Sequence, residues 1–117
     1  MLTSISGKSV IVTGGSKGIG KGIAKVFASK GAKVMIAART EKDAAATVDE
    51  IKAAGGTADM FLCDVSDFDQ VSALADYTAK TFGGIDILCA NAGIFPQVKM
   101  VDMTADDWDQ VMSTNLK

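Results

Sequence analysis

The stretch TGGSKGIG, Thr13 to Gly20, lies between a short apolar run and a segment of helical periodicity. Its key glycines are Gly14, Gly18 and Gly20, spaced G-x-x-x-G-x-G. A helix that begins there offers unpaired N–H groups and the positive end of its dipole. Bare backbone lets an anion such as a pyrophosphate approach closely. On this spacing Gly14 permits the tight turn, Gly18 the approach, and Gly20 the packing of helix on strand. The same loop serves equally well as a ligand-free turn. A cation could add to an anion site: Arg39 stands after the next apolar run. The sequence contains no histidine, which excludes His-based metal sites and His general bases.

These groups must be positioned by the elements around them. KSVIVTG (Lys8 to Gly14) and AKVMIAA (Ala32 to Ala38) are short apolar runs rich in β-branched residues, which suit strands buried on both faces. Between them Ile19, Ile23, Val26 and Phe27 mark one helical face, with Gly31 as a C-cap. A second helix is expected over about Glu41 to Ala54, with Val48 and Ile51 inward, ending at Gly55-Gly56. The third strand is expected from Ala58 to Cys63. A third helix then opens at Ser66 or Asp67 and carries the stripe Val71, Leu74, Ala75, Ala79 and Phe82. The fourth strand is IDILCAN, Ile85 to Asn91. A loop with Pro96 leads to a last helix near Thr104, with Trp108, Val111, Met112 and Leu116 on its apolar face. Strand and helix alternate throughout. This implies α/β architecture, a Rossmann-type doubly wound parallel sheet of strand order 3-2-1-4. Cys63 and Cys89 would lie too far apart to pair and are read as free thiols.

At 117 residues, 48% of them apolar, the chain reads as one domain, 1–117. The net charge of -2 gives no general attraction to nucleic acid or anionic membrane. Neither a signal peptide nor a run of about 20 apolar residues is seen. With the free thiols, this points to the cytoplasm.

Three motifs stand in order, each at the carboxyl end of an expected strand: TGxxxGIG, then Asp64-Val65, then Asn91-Ala92-Gly93. Together they resemble the short-chain dehydrogenase/reductases, and most of all the group holding the 3-oxoacyl-acyl-carrier-protein reductases. The resemblance runs through essentially all of the chain. It implies that Gly14, Ser16, Gly18, Ile19 and Gly20 line the pyrophosphate and adenosine side of NAD(P). It implies that Asp64 accepts from the adenine amino group, with Val65 against the ring. Asn91, Ala92, Gly93 and Ile94 would floor the adenosine ribose and nicotinamide side. From the residues alone, Asp64 serves equally as a cap for the segment at Ser66, and Asn91-Ala92-Gly93 as a tight turn.

An acid about 20 residues past the glycine loop binds the ribose diol of NAD and repels a 2′-phosphate. Here that place reads Ala38-Arg39-Thr40. Arg39 can pair with a phosphate in two charge-assisted bonds, and the resemblance implies that Lys17 points the same way, which favours NADP over NAD. The same absence of an acid argues against a methyltransferase. Otherwise Arg39 is an exposed residue at a helix start and Lys17 a solvated loop charge.

Family members transfer hydride between nicotinamide and a carbonyl or alcohol carbon. The resemblance matches Asn115, on the last helix, to the Asn of their proton relay. Their Ser and Tyr-x-x-x-Lys have no counterpart here. Tyr77 is the only tyrosine, and Thr81 rather than Lys stands four residues on. The resemblance therefore implies the cofactor-binding half of a parent of about 250 residues. That parent would be a homo-oligomer, dimer or tetramer, acting on a small carbonyl or alcohol, 3-oxoacyl thioesters among the candidates. The 117 residues alone are expected to be inactive. A second reading, a non-catalytic dinucleotide-binding or interaction module on a reductase scaffold, also accommodates the missing groups.

Overall fold

The computed structural model describes residues 5–14, 18–91 and 98–102, with only the backbone path at Asn91 and 98–102. Its elements run β1 (Ser9–Thr13), α1 (Gly18–Ser29), β2 (Lys33–Ala38), α2 (Glu41–Ala53), β3 (Thr57–Leu62), α3 (Phe68–Phe82), β4 (Ile87–Asn91) and β5 (Val98–Asp102). They form one sheet in the order β3-β2-β1-β4-β5. The first four strands are parallel, as their apolar runs require: every residue of β1 is buried.

Alternation along β1 sorts the core into two layers. Val10 and Val12 meet α1 and α2 through Ala24, Phe27, Ala44, Val48 and Ile51. Ile11 points the other way, with Met35, Val71, Leu74 and Leu88. Helices thus cover both faces of the sheet. Cys63 and Cys89 are buried and free. They belong to opposite layers, and two strands separate β3 from β4.

Helix α1 is rotated relative to its expected face. Its buried residues are Gly20, Ala24, Phe27 and Ala28, whereas Ile19 and Val26 are 52% and 58% exposed. Small residues win the inward positions because they let the helix lie close to β1 and β2. The larger Ile23 packs at the edge of that contact.

Helix α3 starts with Asp67 as its N-cap, whose carboxylate accepts from the N–H groups of Asp69 and Gln70 at 3.0 and 3.3 Å. It stops at Gly83, in the left-handed conformation, whose N–H donates to the Ala79 carbonyl at 2.8 Å. Strand β4 begins at Ile87, two residues later than expected. Asp86, just before the strand, still meets β1: its N–H donates to the Ser9 carbonyl at 2.9 Å and its carboxylate accepts the Ser9 N–H at 2.8 Å.

β5 occupies part of the stretch read as a loop. It pairs antiparallel with β4, Asn91 opposite Val98 and Ile87 opposite Asp102. An antiparallel partner needs only a short connection, whereas a parallel one needs a crossover of about a dozen residues or more. The helix expected from Thr104 lies outside the described residues.

Candidate functional site

The parallel register brings three chain turns to one end of the sheet. Thr13 stands opposite Ala37, and Ala38 opposite Leu62. The ladder continues just past the strand ends: the Gly14 N–H donates to the Ala37 carbonyl and the Cys63 N–H to the Ala38 carbonyl, both at 2.9 Å. Gly14, Arg39 and Asp64 are therefore fixed at the carboxyl ends of β1, β2 and β3. Between them lies a cleft of about 480 Å³ lined by Thr13, Gly14, Ala38, Arg39, Cys63, Asp64, Val65 and Ser66, among others.

The glycines match what a close ligand requires. Gly14 and Gly18 have φ of 66° and 55°, a region that side chains disfavour. Among the described residues, a Cβ placed on Gly18 would meet no atom within 4 Å, which leaves open space beside the start of α1. Gly20 is buried on the inner face of α1, where it serves helix packing. Ile19 is largely exposed beside it.

Electrostatically the cleft is mixed. Arg39 is exposed and enters it from the end of β2. Thr40 is the N-cap of α2 but makes no side-chain cap bond. Asp64 Oδ1 accepts from Ser66 twice, from Oγ at 2.7 Å and from N–H at 2.9 Å. These bonds, aided by the charge of Arg39 and opposed by partial desolvation, hold the Asp64 carboxyl below its ordinary value of 3.8. The carboxylate form is thus kept into the acid range, and its hydrogen bonds are lost only as pH falls through that lowered value. Cys63 forms part of the wall. Burial, and secondarily the charge of Asp64, push its thiol up to about 11, so little thiolate forms near neutral pH.

Tyr77 is far from this cleft in role. Its hydroxyl donates to Asp59 Oδ2 at 2.6 Å, and its ring lies 5.4 Å from that of Phe61. The bond to Asp59 raises its pKa, the opposite of what a proton-transferring tyrosine needs near neutrality. Among the described residues no cluster of His, Cys, Asp or Glu could hold a metal.

Of the expected site residues, Gly14, Arg39, Asp64 and Val65 converge on the cleft, and Gly18, Ile19 and Gly20 open α1. The backbone of Asn91 ends β4. Ser16, Lys17, Ala92, Gly93, Ile94 and Asn115 lie outside the described residues. Sequence reasoning missed Thr13, Ala37, Ala38, Thr40, Cys63 and Ser66 as lining groups. Their only signal is position, within two residues of a strand end or of a residue already singled out.

A family model for short chain dehydrogenases matches residues 8–117. The chain belongs to the short-chain dehydrogenase/reductase family. It is 40% identical over 111 residues to a 3-oxoacyl-[acyl-carrier-protein] reductase of Staphylococcus aureus, covering 94% of this chain and 45% of that one. A metagenomic short-chain oxidoreductase solved in complex with NADP is 41% identical with a TM-score of 0.73, covering 79% of this chain and 42% of that one. The 7 alpha-hydroxysteroid dehydrogenase complexed with NADH and 7-oxo glycochenodeoxycholic acid is also 41% identical, with a TM-score of 0.75, covering 80% and 38%. The chain spans less than half the length of the curated relatives it matches, 45% of the Staphylococcus aureus enzyme. Of these two similar structures, one thus holds NADP and the other NADH. Among the described residues no helix is long and apolar enough to cross a membrane.

Proposed function

We propose that this chain supplies the dinucleotide-binding part of an NADP-dependent short-chain oxidoreductase. The observation that carries the reading is Arg39, in the cleft at the end of β2, with neither Ala38 nor Thr40 beside it acidic. An NAD-type site would carry a carboxylate there. A guanidinium beside the start of α2 is suited to the 2′-phosphate of NADP. The open space at Gly18 suits the pyrophosphate, and Asp64 with Val65 the adenine. By family resemblance Ser16 and Lys17 complete the phosphate loop. Ala92, Gly93 and Ile94, continuing from Asn91, complete the floor.

Bound NADPH would supply the hydride for a carbonyl carbon, and NADP would take it from an alcohol. This chain's residues bind and orient that cofactor, and Asn115 holds a place in the proton relay. Tyr77 takes no part. The substrate is a small carbonyl or alcohol compound. The 40% identity to a 3-oxoacyl-[acyl-carrier-protein] reductase supports a 3-oxoacyl thioester. The whole protein acts as a cytoplasmic homo-oligomer, without nucleic acid or membrane as partner.

Fluorescence titration with NADPH and NADH tests the cofactor assignment. The native chain binds NADPH more tightly. Arg39→Asp lowers NADPH affinity roughly tenfold or more, the worth of a charge-assisted bond, and leaves or improves NADH affinity. Unchanged NADPH affinity in the variant overturns the assignment.

A further inference from the structure

Asp64, half-buried at the end of β3, is held by several hydrogen bonds. Ser66 bonds the side chain twice, and both bonds fall on Oδ1. The backbone is held separately: the Asp64 N–H donates to Gln70 Oε1 at 2.7 Å. The amide of that same Gln70 donates to Asp67 Oδ2 at 3.1 Å, and Asp67 is the N-cap of α3. Helix α3 thus anchors the main chain of Asp64, while Ser66 sets the rotation of its carboxylate. Oδ2 receives none of these bonds, and Asp64 and Ser66 both line the cleft.

We infer that Ser66 is a positioning residue for base selection: it holds Asp64 Oδ1 so that Oδ2 is presented as an acceptor to a purine bearing an amino group at position 6. This rests on the proposed placement of the adenine beside Asp64 and Val65. An ionised carboxylate only accepts hydrogen bonds. Adenine offers it a donor at position 6. Hypoxanthine offers an oxygen there, so the donor is lost and two acceptors face each other. A carboxylate fixed in one orientation makes that contrast sharp. One free to rotate can turn away from the hypoxanthine oxygen, and the contrast shrinks. The cleft therefore selects adenine dinucleotides over hypoxanthine dinucleotides, and Ser66 sets how strongly.

The test compares binding of NADPH with binding of its hypoxanthine counterpart, the reduced nicotinamide hypoxanthine dinucleotide phosphate. The native chain prefers NADPH by about tenfold, the worth of one hydrogen bond to a charged group. Ser66→Ala reduces that preference to about threefold, mainly through weaker NADPH binding, because one of two bonds to Oδ1 is gone. Ser66→Thr keeps the hydroxyl and restores the preference. A loss of affinity in Ser66→Ala that is equal for the two dinucleotides means Ser66 only shapes the loop, and overturns the inference while the NADP reading stands. A native chain that binds both dinucleotides equally does the same. A native chain that binds neither overturns both.

Discussion

Arg39 and Asp64 are opposite charges brought to one cleft by neighbouring strands, and each has a distinct task. Arg39 meets solvent and is available to an anion, while Asp64 is tied down by Ser66. Both residues could be picked out in the sequence because each follows an apolar run whose end fixes its place. Ser66 could not, since its part depends on a hydroxyl reaching back two residues to a carboxylate. Lys21 and Lys25 of α1 both meet Glu50 of α2, at 2.6 and 3.3 Å, a contact between helices that no local pattern announces. These bonds lower the pKa of Glu50, though such exposed pairs contribute little to stability. Cys63 carries the residue-scale prediction. Its thiolate forms only as pH rises toward about 11, so iodoacetamide at pH near 8 should label it far more slowly in the native chain than in denaturant. Native labelling as fast as in denaturant would mean that the cleft wall is not packed as described.

The helices show where periodicity suffices and where it does not. Helix α3 matches its apolar stripe, with Val71 and Leu74 buried, because a single wide face meets a single layer of the sheet. Helix α1 departs from its stripe. Counting large apolar residues pointed to Ile19 and Val26, but close approach to the sheet favours Gly20, Ala24 and Ala28. Hydropathy alone does not register that preference. The start of α3 was narrowed in the sequence to Ser66 or Asp67, and geometry divides the roles: Asp67 caps the helix and Ser66 bonds Asp64. Replacing Asp67 with Ala removes the acceptor for two first-turn N–H groups and for Gln70. The expected cost is about 1 kcal/mol, read as a lower urea midpoint with unchanged slope. An unchanged midpoint would show that the cap carries no stability.

Across the whole molecule, the order of the first four strands follows from the βα rhythm and the right-handed crossover rule, so it is legible in the sequence. β5 is not. Its pairing depends on which strand edge lies within reach of a short connection, and β4 offers that edge. The cleft is a product of the same topology. β1, β2 and β3 end together, and the chain turns away from each into α1, α2 and the approach to α3. A dinucleotide bound there should perturb that end of the sheet and leave the other undisturbed. Amide chemical shifts followed during titration of the chain with NADPH read this directly. Gly14, Arg39, Thr40, Asp64 and Val65 should move with saturating dependence, while Gly55 and Gly56, which precede β3 at its far end, stay in place. Shifts confined to Gly55 and Gly56, or none at saturating NADPH, would contradict a cofactor seated at the carboxyl ends of the strands.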